Sequence, residues 1–161
     1  MSQRQDEFER VALPHLRSLL RFARRLSVNM PAAEDLVQEA YLKAWRGFGQ
    51  FESGTNIRAW LFRVILNVHR AQGRKTGPAI FPLRADPAAD LDEHRLEILQ
   101  ALDRLPEDHR AVLMLGAVEG FTCREIAEIL SLPIGTVMSR LSRARQSMRT
   151  LLLPHSEKVS R

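Results

Sequence analysis

Apolar residues recur every three or four positions along almost the whole chain, and this period constrains the fold more than any other feature of the sequence. The strict apolar–polar alternation that marks a strand is missing. Hydrophobic residues make up 45% of the 161 positions and charged residues 27%, which is typical of a globular protein with its own core. The sequence therefore predicts an all-α fold.

One segment interrupts the helical period. The stretch "GRKTGPAIFPLRADPAADLD" at 73–92 holds three of the eight prolines and two of the eight glycines, which indicates a flexible linker. It divides the chain into two small helical domains. The predicted organisation is an N-terminal domain at 1–72, the linker at 73–92, a C-terminal domain at 93–153 and a short polar tail at 154–161.

The N-terminal domain is predicted to hold three helices. The first contains Pro14, which lacks a backbone N–H, so either a kink there or a later start of the helix is expected. The third is followed by a basic loop, and from Arg58 to Lys75 the chain has five basic residues and no acid. Such a strip suits a single nucleic-acid strand or a line of phosphates. The predicted helices span about 6–26, 31–47 and 55–72.

The C-terminal domain is predicted to hold four helices, at about 93–105, 107–119, 122–130 and 134–152. Thr122 and Glu125 have the spacing of a capping box at the start of the third helix. Only three or four residues separate the third helix from the fourth, which is the spacing of a helix-turn-helix. The fourth carries four arginines and no acid. It fits the major groove of DNA, and the alternative is a solvated basic face on a structural bundle.

Several function classes are excluded by the composition. A net charge of +5 and a pI of 10.3 favour a polyanionic partner. Cys123 is the one cysteine, so no internal disulfide forms, and a cytoplasmic protein is expected. The sequence offers no metal-ligand cluster, nucleophile–base pair or phosphate loop, so we expect no metal, no cofactor and no enzymatic activity. Its longest apolar stretch, "VLMLGAV" at 112–118, is too short for membrane insertion.

Three stretches occur in an order and spacing that resemble one family. They are "AEDLVQEAYLKAWRGF", "GTNIRAWLFRVILN" and "ALDRLPEDHRAVLML…EGFTCREIAEILSLPIGTVMSRLSRARQSMR". Over about residues 8–152 the chain resembles the extracytoplasmic-function (ECF) sigma factors. Its motifs "GTNIRAWLF" and "GTVMSRLSRAR" are similar to those of the subgroups used in stress responses. The resemblance implies a two-domain factor that binds core RNA polymerase and directs promoter-specific transcription initiation. An anti-sigma factor is the expected regulator, because it could clamp the two domains through the linker.

The resemblance also implies three sets of site residues. The set expected to bind the β′ clamp helices of RNA polymerase is Asp35, Leu36, Gln38, Glu39 and Trp45. The set expected to hold the melted minus-ten promoter strand is Arg63, Asn67, Arg70, Arg74 and Lys75. The set expected to read the minus-thirty-five promoter element is Thr136, Met138, Ser139, Arg140, Ser142, Arg143 and Arg145.

Two other DNA-linked or sigma-like classes stay open. An ordinary helix-turn-helix repressor or activator would bind an operator by itself, usually as a dimer, but no clear dimerisation helix is present. A sigma-like decoy would bind an anti-sigma factor and never touch DNA. Such a decoy should have lost its basic positions, whereas here they remain.

Met138 departs from the family pattern, because many relatives have lysine or arginine there.

Overall fold

The computed structural model of the protein describes residues 3–76 and 92–153, with the backbone alone for 74–76. Within these ranges every regular element is helical, so the predicted all-α fold is confirmed. The chain divides into two compact units. The N-terminal unit contains the helices before residue 77 and is grouped with Glu128–Ser131, and the C-terminal unit contains the rest of the helices after residue 91. The predicted linker lies mostly outside the described residues, as does the tail with Pro154.

The N-terminal unit is a bundle of four helices. They are α1 (Gln3–Ala12), α2 (Leu16–Leu26), α3 (Met30–Gly47) and α4 (Ile57–Thr76), with 3₁₀ turns at Leu13–His15 and Phe48–Gln50. Helix α3 packs against both α2 and α4, and this packing encloses an apolar core. The large side chains that are fully buried there are Leu19, Leu36, Phe62, Ile65, Leu66 and Val68.

The predicted kink at Pro14 is confirmed as the 3₁₀ turn between α1 and α2. Proline cannot donate a backbone hydrogen bond, so the α-helical ladder is interrupted there. The Ala12 carbonyl oxygen accepts a hydrogen bond from the Tyr41 hydroxyl at 2.8 Å. Burial raises the pKa of Tyr41 to about 12. Helix α3 is thereby fixed to the break between the first two helices.

Side-chain caps set the starts of α3 and α4. The Asn29 side-chain oxygen accepts from the Ala32 amide at 2.9 Å, and the Asn56 side-chain oxygen accepts from the Ala59 amide at 3.1 Å. Helix α4 runs to Thr76, so the helix end predicted at about 72 was four residues too early. A single glycine at Gly73 costs only about 1 kcal/mol against alanine and does not end a helix.

The C-terminal unit is built on α5 (Glu93–Asp103), α6 (Glu107–Leu113), α7 (Cys123–Leu130) and α8 (Ile134–Leu152). Helix α8 packs on α5 and α6, over a core that includes Val112, Leu115, Ile126 and Val137. The prediction of one α-helix over 107–119 is corrected, because Met114–Val118 forms a π-helical turn. At Gly116 in this turn, an added Cβ would lie 3.5 Å from Ile126 Cδ1.

Across residues 3–76 and 92–153, the helices fall short of the length and apolar character that a bilayer crossing demands.

Candidate nucleic-acid interface

The predicted helix-turn-helix is present in the C-terminal unit. Thr122 Oγ1 accepts from the Glu125 amide at 3.2 Å, and Glu125 Oε2 accepts from the Thr122 amide at 2.8 Å, so the capping box is confirmed. At the other end of α7, Ser131 has a positive φ of 55°, and the Leu132 amide donates to the Ala127 carbonyl at 3.0 Å. This Schellman-type end gives the three-residue turn that redirects the chain into α8.

Helix α8 separates a buried stripe from a basic surface. Val137, Leu141 and Ala144 are buried, as the helical wheel predicts. The opposite side is exposed and carries the arginines, and 131–153 contains no acidic residue. An isolated solvated helix usually mixes charge signs and gains from i,i+4 ion pairs, so this face is suited to an anionic partner.

The structure places most of the expected minus-thirty-five set on that surface. Thr136 and Arg140 are only half-exposed. The Arg140 guanidinium lies 3.2 Å from Asp108 Oδ2 on α6, so part of its hydrogen-bonding capacity is used within the unit. The Ser139 hydroxyl donates to the Thr136 carbonyl at 3.1 Å. The exposed members of the set are Met138, Ser139, Ser142, Arg143 and Arg145.

A shallow groove runs along α8 beside these residues. Met138, Ser142 and Arg145 line it together with Gln146 and Arg149. Gln146 and Arg149 were not among the predicted site residues. Their spacing could have revealed them, because each lies four positions after another groove residue and therefore on the same side of the helix.

The expected minus-ten residues follow one side of α4. Arg63 and Asn67 are exposed and four residues apart, whereas Arg70 is half-buried. Arg74 and Lys75 have side chains outside the described residues. Arg58, at the start of the helix, is half-buried, and its guanidinium carbon lies 5.1 Å from the centroid of the Phe62 ring. The described part of α4 therefore presents a short polar strip opposite a largely apolar buried side.

The expected polymerase-binding residues are divided between surface and core. Asp35 and Gln38 are exposed on α3, but Leu36 is only 1% exposed and belongs to the core. Glu39 is half-buried and accepts a hydrogen bond from Gln72 Nε2 on α4 at 2.8 Å. Leu36 therefore positions the helix, and only the other members of the set are exposed enough to contact a partner.

Trp45 lies at the end of an apolar groove between α1 and α3. The Arg4 guanidinium carbon is 5.0 Å from the centroid of the Trp45 ring. The Phe8 ring packs edge-on against Trp45, with the two ring centroids 5.4 Å apart. The groove also includes Leu13 and Leu42, which are 48% and 56% exposed. These two leucines were not among the predicted site residues, although Leu42 lies one turn after Gln38 on the same side of α3.

Sequence comparison with protein families matches each unit. The pattern described as "Sigma-70 region 2" matches residues 12–77, and that described as "Sigma-70, region 4" matches residues 95–148. The first match therefore covers most of the N-terminal bundle, and the second contains the helix-turn-helix. The order of the two matches is also the order of the two structural units.

Individual proteins give the same result. The chain is 36% identical over 149 residues to the ECF RNA polymerase sigma factor EcfG of Rhodopseudomonas palustris, covering 88% of this chain and 81% of that protein. It is 34% identical over 152 residues to the ECF RNA polymerase sigma factor SigM of Mycobacterium tuberculosis, covering 90% of this chain and 76% of the relative.

Two solved structures are also similar. The sigma factor RpoE of Bartonella quintana, in complex with the anti-sigma factor NepR, has a TM-score of 0.73 and 34% identity, covering 96% of this chain and 99% of that one. CnrH in complex with the cytosolic domain of CnrY has a TM-score of 0.70 and 27% identity, covering 92% and 88%. The chain therefore belongs to the ECF RNA polymerase sigma factors.

Proposed function

We propose that this chain binds core RNA polymerase and gives it a promoter preference, without catalysing a reaction itself. Helix α8 reads the minus-thirty-five element as duplex DNA, and α4 holds the melted minus-ten strand. The observation that carries the proposal is the acid-free exposed side of α8, held in place by the buried stripe on its other side.

Helix α8 offers two kinds of contact to DNA. Arg143 and Arg145 are exposed and can bind phosphates or the O6 and N7 atoms of guanine. Ser142, which directly precedes Arg143, is exposed and can exchange hydrogen bonds with a phosphate or a base edge. Arg140 is held by Asp108 at 3.2 Å, so its proposed role is to brace the helix and reach a phosphate at the edge of the contact.

Helix α4 suits a single strand because its exposed side is narrow and polar. Asn67 can hydrogen-bond a base edge, and Arg63 lies one turn before it. Unstacking and unpairing one base costs a few kcal/mol. Holding the unstacked base on α4 would offset this cost. In the proposal, Arg70, Arg74 and Lys75 follow the phosphates of the same strand.

The α1–α3 groove supplies the proposed polymerase contact, to the β′ clamp helices. Leu42 and Trp45 give it an apolar centre, while Gln38 and Glu9 give it polar and acidic edges. Asp35 and Glu39 are further proposed contacts on α3, outside the groove lining. A central apolar patch with a polar rim is the usual anatomy of a protein interface. Leu36 supports this surface from the core.

Regulation and organisation complete the proposal. Both similar structures above are complexes, one with an anti-sigma factor and one with the cytosolic domain of CnrY, which supports an anti-sigma factor as a regulator here.

The proposed domain limits are about 1–76 and 92–153, joined by the intervening linker. A partner of core polymerase acts in the cytoplasm.

In vitro transcription with purified core polymerase and a promoter library tests the proposal. Ser142→Ala and Arg143→Ala should each lower the preference at one upstream base pair by about 1–3 kcal/mol. Arg95→Ala, at an exposed arginine of α5, is the matched control and should leave the preference unchanged. A variant that weakened all sequences equally would contradict base reading. Tight binding of the free protein to DNA would instead favour an ordinary repressor.

The polymerase contact has its own test. Asp35→Arg reverses an exposed charge on α3 and should reduce capture of core enzyme in a pull-down. The Ser142→Ala protein, altered only on the DNA side, should be captured normally. Unchanged capture of the Asp35→Arg protein would remove Asp35 from the proposed interface.

A further inference from the structure

Two large apolar side chains are exposed at the start of α8. Ile134 is 47% exposed and Met138 is 56% exposed. They lie four residues apart, so they share one side of the helix. Between them, an added Cβ at Gly135 would meet no heavy atom within 4 Å, so a partner can approach this part of the helix closely.

The polarity of this side changes along the helix. Beyond Met138, the groove is lined by Ser142, Arg145 and Arg149. The side is therefore apolar at its N-terminal end and basic at its C-terminal end. Recognition helices contact base edges mainly through their N-terminal residues. The apolar pair occupies the part of α8 that would enter the groove most deeply.

The chemistry of the pair restricts what it can recognise. An isoleucine side chain forms no hydrogen bonds, and a thioether accepts them only weakly, so neither residue binds a phosphate well. The most prominent apolar group on the major-groove edges of the bases is the C5-methyl group of thymine, which favours apolar contacts. A lysine or arginine at either position would instead select a phosphate or guanine.

We propose that Ile134 and Met138 read thymine methyl groups in the minus-thirty-five element. This inference rests on the proposed function. It further specifies that the base contacted is thymine and that the contacted group is its C5-methyl. It assigns a specificity role to Met138 through an apolar contact, whereas the charged head of an arginine would favour a phosphate or guanine, and it adds Ile134 to the reading surface.

Deoxyuridine substitution tests the proposal in the holoenzyme. Deoxyuridine pairs as thymidine does and lacks only the C5-methyl group. Each upstream thymine of a library-selected promoter is replaced singly, and open-complex formation is measured at limiting holoenzyme. The wild type should lose about fourfold in apparent affinity at one or more thymines, the effect expected from one buried methyl group. In Met138→Ala or Ile134→Ala holoenzymes, the thymine-to-deoxyuridine ratio at the corresponding site should approach one.

The controls separate this inference from the proposed function. Val118→Ala shortens another exposed apolar residue of the same unit, one that is 48% exposed, and it should keep the wild-type ratio. Full tolerance of deoxyuridine by the wild type, or selection of an element without thymine, would overturn methyl reading while upstream dependence remained. Loss of all upstream sequence dependence would overturn the proposed function itself. Circular dichroism confirms that the alanine variants remain folded.

Discussion

His15 shows how a single half-buried side chain makes the N-terminal unit sensitive to pH. It lies in the 3₁₀ turn after Pro14. Burial lowers the pKa of His15, and the positive charge of Arg58 lowers it further. The folded protein therefore holds the imidazole neutral at pH values where the unfolded chain, with an ordinary histidine pKa near 6.5, already binds a proton.

The sign of the pH dependence follows from proton linkage. Below the unfolded pKa, the unfolded state binds more protons than the folded state, so the free energy of unfolding falls as the pH drops. Above it, this contribution is constant. We expect urea unfolding, followed by fluorescence of Trp45 and Trp60, to show weaker stability at about pH 5 than at about pH 7.5. His15→Gln should reduce that difference.

An exposed histidine provides the comparison. His94 lies on α5, so His94→Gln should leave the tryptophan-detected pH dependence at its wild-type size. A His15→Gln protein with the wild-type pH dependence would show that other groups account for it.

Leu36 and Leu42 show how far site prediction from sequence can go. Both lie on α3, but one is buried against the core and the other is exposed beside the α1–α3 groove. The apolar period finds the helix and its buried stripe. It does not determine which apolar residues outside that stripe stay in solvent, because this depends on how α1, which precedes the turn at Pro14, lies against α3.

At the scale of helices, local signals were the most predictable. The capping box at Thr122, the turn before Pro133 and the break at Pro14 are short-range effects, and all are present in the structure. The π-helical turn at Met114–Val118 was not predicted. It accompanies the close approach of Gly116 to Ile126 and Leu141, which is a tertiary contact and leaves no periodic signal in the sequence.

Arg110 holds the end of α5 and the turn that follows it. It is 9% exposed, and its Nη2 atom donates to the carbonyl oxygens of Asp103 at 3.0 Å and Leu105 at 3.1 Å. Arg110→Ala would leave both carbonyls without this donor and open a cavity. We expect the C-terminal unit to lose about 2–4 kcal/mol of stability, since each buried unsatisfied polar group costs about 1–3 kcal/mol.

Amide hydrogen exchange measures the loss, with reduced protection expected in α5 and α6. The matched control is Arg104→Ala, at an exposed arginine of the same turn, which should change the stability by less than about 0.5 kcal/mol. Equal effects of the two substitutions would mean that the buried hydrogen bonds of Arg110 contribute little.

At the scale of the whole molecule, each of the two units contains fully buried side chains. Phe62 is 0% exposed in the N-terminal core, and Ile126 is 0% exposed in the C-terminal core. Helix packing in one unit joins α3 to α2 and α4, and in the other it joins α8 to α5 and α6. We therefore expect each unit to unfold as its own cooperative transition, with separate responses to core substitutions.

Two truncations test this independence. Phe62→Ala should destabilise the N-terminal unit by about 3–5 kcal/mol, and Ile126→Ala the C-terminal unit by about 2–5 kcal/mol. The two tryptophans, Trp45 and Trp60, both lie in the N-terminal unit, so their fluorescence should respond to the first substitution only. Exchange protection in α8 should respond to the second only. Loss of α8 protection in Phe62→Ala would show that the units unfold as one, since a cavity in one core would then weaken the other.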